Sequence, residues 1–279
     1  MPRPAALLPN APRRRARSGA LLGTLLLALA AAGCGPSRSE VQAQKEQAKY
    51  HYNLAYGHYF DTKNPNADAA LQEVLASLKL DDTDPEAHML AGLVYLGRES
   101  YLEAEKHFRR AIEIDGGHFK AHNNLGATYL AMERWDDAIG VFGPLVRKDL
   151  YATPGIGQNN LGWAYYKKGD RTAAIRHFKK AIAVAPDLCP PYNNLGMAYI
   201  DDGLLEKAVR YLERGLKRCP RYAEPHFHLA RVYGRQGDVA AARAAFARCM
   251  ELAGETDLAD RCERQLRALP PAPPPGGRR

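Results

Sequence analysis

Residues 1–33 contain no acidic residue, and the whole chain of 279 residues holds only five cysteines and two tryptophans. No two cysteines stand closer than Cys249 and Cys262, so the paired-cysteine spacing of a zinc site is missing. A phosphate-binding glycine loop and a Ser/His/Asp set are missing too, which leaves catalysis without a motif and calls for no cofactor or small-molecule substrate. The longest apolar run, residues 21–32, is too short to cross a bilayer as a stable helix.

What is present is repetition. The alanines Ala70, Ala104, Ala138, Ala174, Ala208 and Ala242 are separated by 34, 34, 36, 34 and 34 positions. Ahead of each runs a small-residue column, Ala55, Gly92, Gly126, Gly162, Gly196 and Ala230, and then an aromatic one, His58, Tyr95, Tyr129, Tyr165, Tyr199 and Tyr233. The second half of each copy answers with Val74, Phe108, Phe142, Phe178, Leu212 and Phe246. Small residues let two helices approach, and the large ones fill the space beside them. The pattern resembles the tetratricopeptide repeat (TPR), a helical hairpin of 34 residues. The expected fold is therefore all-α: a right-handed α-solenoid of six hairpins over 48–254, a capping helix over 255–269 and a disordered Pro/Gly tail over 270–279. One joint departs from the period. Residues 143–155, with Asp149-Leu150-Tyr151 flanked by Pro144 and Pro154, carry a two-residue insertion between the third and fourth copies.

Arg3, Arg13, Arg14, Arg15 and Arg17 precede the apolar run, the order of a secretory signal. Ala30-Ala31-Ala32-Gly33-Cys34 resembles the bacterial lipobox, with Ala31 where leucine is usual. That resemblance implies a signal over 1–33 and lipid on Cys34; the alternative is an ordinary cleaved signal with an incidental cysteine. Gly35 is not the aspartate associated with inner-membrane retention, which favours the outer membrane, with the protein facing the periplasm. Residues 34–47 are then a lipidated N-terminus and polar tether. Without the signal, 34 Lys+Arg face 31 Asp+Glu, so the basic pI of the full chain is no argument for nucleic acid.

Four cysteines remain in an oxidising compartment. Cys189 and Cys219 stand at neighbouring ends of one antiparallel hairpin, and Cys249 faces the helix that carries Cys262. Topology permits both bridges, while Cys249 also fits its column as a free buried thiol in the place of Ala111 and Ala181. The histidines His88, His122 and His226 share one column, which makes them packing residues rather than metal ligands.

The concave face of such a stack is lined by the first helices. Counting along them places Tyr52, Tyr56, Tyr59, Met89, Leu93, Leu96, Asn123, Asn159, Trp163, Tyr166, Asn193 and Met197 there, followed by Phe227 and Arg231. Tyr, Trp and Met are enriched at interface centres, and the asparagines have both donor and acceptor for an extended peptide. The competing reading is that Asn124, Asn160 and Asn194 bridge repeats and part of the aromatic stripe is internal packing.

Lipobox, six repeats, closing helix and the proline-bearing insertion together resemble the type IV pilus biogenesis TPR lipoproteins, the PilF/PilW and Tgl-like pilotins. The resemblance covers the chain to Leu269. It implies a non-catalytic scaffold that binds secretin subunits and promotes their outer-membrane localisation and ring assembly, for pilus biogenesis and twitching or gliding motility. The widened first loop, residues 61–66, and the proline tail depart from that pattern. A periplasmic TPR adaptor for cell-envelope enzymes, or an accessory of outer-membrane protein assembly, fits the same anchor and fold.

Overall fold

The computed structural model describes residues 37–149 and 151–270. Cys34, the signal over 1–33, Leu150 and the tail residues 271–279 lie outside the described residues. Among these residues there are thirteen helices and no strand. They are α1 (Arg38–Phe60), α2 (Ala67–Leu80), α3 (Pro85–Gly97), α4 (Tyr101–Ile114), α5 (Phe119–Ala131), α6 (Trp135–Leu145) and α7 (Pro154–Lys168). After them come α8 (Arg171–Val184), α9 (Pro190–Asp201), α10 (Leu205–Arg218), α11 (Glu224–Arg235), α12 (Val239–Ala253) and α13 (Asp257–Ala268).

By contact the chain divides into residues 1–44 and 45–279. In the first unit the described residues are the opening turns of α1. Residues 38–47, expected as tether, are helical, because Ser37 and Glu40 form a capping box that sequence counting missed. The Glu40 amide donates to Ser37 Oγ at 3.2 Å and the Ser37 amide donates to Glu40 Oε2 at 2.7 Å, satisfying two otherwise orphan donors. Those bonds hold the Glu40 carboxyl below its ordinary pKa.

The second unit is the α-solenoid of TPR hairpins. Within each of the four central hairpins the glycine column is a socket for the knob opposite. A Cβ on Gly92, Gly126, Gly162 or Gly196 would come within 2.5–2.7 Å of Phe108, Phe142, Phe178 or Leu212, respectively. All four knobs are fully buried. The aromatic column lies one layer out: Tyr95 stacks on His107 and Tyr165 on His177, each at 5.4 Å between centroids. Tyr129 instead donates its hydroxyl to Glu105 at 2.8 Å, while Arg134 reaches Glu105 at 2.6 Å and covers the Tyr129 ring. Burial raises the Glu105 pKa, but these partners outweigh it and hold the carboxyl below its ordinary value.

Turns follow from local chemistry. Asp170 and Asp238 cap α8 and α12 by accepting amides at 2.9 Å, and Asn66 does the same for α2. The hairpin turns need a left-handed residue, supplied by Gly169, Gly203 and Gly237 in the last three copies. Glu99 and Glu133 adopt that conformation at φ 59° and 57° in the second and third. The structure joins Cys189 to Cys219 across the fifth hairpin and Cys249 to the capping helix through Cys262, with Cα separations of 6.2 and 6.4 Å.

Candidate protein-binding groove

The irregular joint builds the site. Pro144 ends α6 one residue later, and Pro154 opens α7, which has 15 residues against 12 or 13 in the first helices of the neighbouring copies. Between them Tyr151 folds inward to 5 % exposure. Its hydroxyl donates to Asn123 Oδ1 at 3.1 Å, and its ring meets Phe119 edge-on at 6.1 Å. Burial raises the Tyr151 pKa. Only glycine fits behind it, since a Cβ on Gly157 would lie 2.6 Å from the Tyr151 ring and 2.9 Å from Val146.

Against this plug opens a cleft of about 500 Å³. Tyr52, Tyr56 and Phe60 come from α1, Glu86, Met89 and Leu93 from α3, Phe119, Lys120, Asn123 and Asn124 from α5, and Ile156 from α7. Tyr56 and Phe60 meet at 4.5 Å between ring centroids, tilted by 41°, and are 48 % and 47 % exposed, so two large rings face solvent at its mouth. A concave apolar surface with a few amide and charged groups has the form of a binding site.

Of the residues expected on the concave face, Tyr52, Tyr56, Met89, Leu93 and Asn123 meet in this cleft, although Met89 is largely buried. The others are placed elsewhere. Tyr59 donates its hydroxyl to the Leu93 carbonyl at 3.2 Å, and Leu96 packs on the core between α4 and α7. Asn159 accepts the Asn194 side chain at 3.0 Å, so Asn194 bridges repeats and occupies the acceptor that a peptide would have used. Asn193, in the same column as Asn123 and Asn159, is buried. Trp163 stacks on Tyr166 at 5.4 Å, with Lys167 Nζ 5.7 Å from its ring centroid; Met197 is half-buried on α9. Tyr166 donates to Asp201, and burial together with that bond raises its pKa beyond the ordinary range.

Counting missed Phe60, Phe119, Tyr151 and Ile156. The signal was the insertion itself, read as a joint although it carries an aromatic residue on to the concave face. His88 is buried, with Nδ1 3.0 Å from His107 Nδ1 and Nε2 3.0 Å from the Asp82 carbonyl. Among the described residues no group of three His, Cys, Asp or Glu side chains is arranged to hold a metal ion. Among the same residues no helix is long and apolar enough to cross a membrane.

Comparison with known proteins agrees with this architecture. Tetratricopeptide-repeat models match residues 43–119, 107–140, 156–188 and 187–255. The crystal structure of PilW, titled a widely conserved type IV pilus biogenesis factor, superposes with a TM-score of 0.67 at 20 % identity, covering 77 % of this chain and 97 % of that one. The structure of Pseudomonas aeruginosa pilF gives 0.65 at 16 %, covering 80 % and 99 %. At such identities the likeness is one of fold. Superkiller protein 3 of Saccharomyces cerevisiae is 25 % identical over 147 residues, half of this chain but only 10 % of that protein's length. With repeat models over most of the described residues and a hairpin core to match, the chain belongs to the tetratricopeptide-repeat proteins.

Proposed function

We propose that the chain is a non-catalytic scaffold of type IV pilus biogenesis that holds a segment of the pilus secretin in the cleft formed by α1, α3, α5 and the joint before α7. The observation that carries this reading is the cleft itself: Tyr56 and Phe60, half-exposed and in contact with each other, share it with the Tyr151 plug made by the insertion. Large apolar rings kept in water at a concave surface mark a binding site, because leaving them there stabilises nothing in the free chain. Fold likeness over nearly the full length of PilW and pilF supports the same reading.

Lipid on Cys34 then anchors the scaffold in the outer membrane with the solenoid in the periplasm. Holding secretin subunits beside that membrane raises their local concentration and favours ring assembly. Two substitutions test the two halves of this mechanism. Tyr56→Ala lowers co-purification of secretin with the protein while leaving its thermal transition in place. Cys34→Ala keeps secretin binding and releases the protein from the membrane fraction. Undiminished secretin capture by Tyr56→Ala refutes the cleft, and a membrane-bound Cys34→Ala product refutes the anchor.

A further inference from the structure

The far end of the solenoid holds a second cleft of different chemistry. It lies between α11 and α13, encloses about 430 Å³ and is lined by Phe227, Arg231, Arg261, Arg264 and Gln265. Phe227, largely buried, is its apolar floor, braced edge-on against Phe246 at 6.0 Å. The Arg261 guanidinium stands 4.7 Å from the Phe227 ring centroid and the Arg231 guanidinium 5.8 Å from it.

Three guanidiniums in so small a space repel one another, whereas several arginines elsewhere in the chain stand beside a carboxylate. Arg171 is paired with Asp202, Arg218 with Asp187 and Arg267 with Glu263. Arg231, Arg261 and Arg264 have no carboxylate partner among the described residues, and no acidic side chain lines the cleft. His228, buried and edge-on to Phe227 at 5.3 Å, is held neutral by burial and then by Arg231 and Arg261, with its pKa pushed down to about 4. It therefore adds no fourth positive charge at neutral pH.

The geometry points to a docking site for an acidic peptide segment of a protein partner, with at least two side-chain carboxylates on the guanidiniums and an apolar side chain on Phe227. Guanidinium forks bind carboxylates bidentately and keep their charge while stacked on a ring, so the site is ready-made before the partner arrives. A nucleic-acid backbone or an anionic membrane needs a positive field extended over many ångströms. Here the three guanidiniums share one cleft of about 430 Å³ over an apolar ring, a local charge that fits a short acidic segment. The site is separate from the α1/α3/α5 cleft and stands whether or not that cleft takes secretin.

The test is fluorescence anisotropy on the full chain with two dye-labelled decapeptides, one with a central Glu-Asp-Glu beside phenylalanine and one with Gln-Asn-Gln in its place. At low salt the acidic peptide binds at least about tenfold tighter, and raising ionic strength to about 0.5 M removes most of that advantage. Arg261→Gln with Arg264→Gln cuts acidic-peptide affinity about tenfold or more without moving the thermal transition, since both side chains are exposed. Arg264→Glu does the same, whereas Tyr56→Ala changes nothing here. Equal affinity for the two peptides, or full binding by the arginine variants, overturns the proposal. So does tighter binding of a single-stranded oligonucleotide or of phosphatidylserine vesicles than of the peptide.

Discussion

The socket between Gly126 and Phe142 makes the packing rule of this solenoid measurable. A methyl group on Gly126 would fall 2.5, 2.6 and 2.9 Å from three atoms of the Phe142 ring, which is fully buried and has nowhere to swing. Alanine is a better helix former than glycine by about 1 kcal/mol. Overpacking a rigid core costs about 1–3 kcal/mol. The clash wins, and Gly126→Ala lowers stability by about 1 kcal/mol net, or about 2–4 °C in Tm for a chain of this size. Phe142→Val alone leaves a void and costs about 2–3 kcal/mol. The first hairpin already holds the complementary solution, with Ala55 and Val74 both fully buried in one cluster. Gly126→Ala with Phe142→Val therefore loses at least about 1 kcal/mol less than the sum of the single changes. Urea unfolding followed by far-ultraviolet circular dichroism measures all four forms, with m compared between them because repeat arrays can lose two-state behaviour. Additive effects within about 0.5 kcal/mol refute the socket, as does a stabilised Gly126→Ala.

Three further outcomes follow from the same structure. Glu99 and Glu133 sit at φ 59° and 57° where later copies use glycine, so Glu99→Gly and Glu133→Gly each raise urea stability by up to about 1 kcal/mol; a loss refutes the strain. Reducing the two disulfides, whose ends are 30 and 13 residues apart, costs about 3–4 and about 3 kcal/mol on loop entropy, read as a lowered Tm in dithiothreitol that Cys262→Ser partly reproduces. Burial pushes His107, His177 and His228 down to about 4, so below pH 6.5 the unfolded chain takes up protons that the folded chain refuses. Stability falls as pH drops from 6.5 towards 4, by up to about 1.4 kcal/mol per pH unit per histidine, and His107→Gln with His177→Gln flattens the urea midpoint against pH.

The hairpins were legible because they are written locally and six times. Each glycine faces a knob in the next helix of the same copy, so its position in the period determines what it touches. The cysteine pairs were legible as topology, since antiparallel helices bring Cys189 near Cys219 and Cys249 near Cys262, but only the folded chain joins them. The helical form of the N-terminal turns of α1 went unread, because a polar stretch with no buried face shows no periodicity; the Ser37 and Glu40 box was the available signal.

The groove was half legible. Tyr52, Tyr56, Met89 and Leu93 follow from helical counting, yet the same counting put Asn193 in the groove and left Tyr151 out. Sequence alone determined the fold class, the number of hairpins and the irregular joint, because a 34-residue period records which columns must pack. Tertiary structure decided which side chains converge: Tyr151 on Asn123, Asn194 on Asn159, and the α13 arginine Arg261 on Phe227. Those partners are 28 to 35 positions apart, in different copies, the joint or the capping helix, and meet only through the packing of one element on the next, which no single copy encodes.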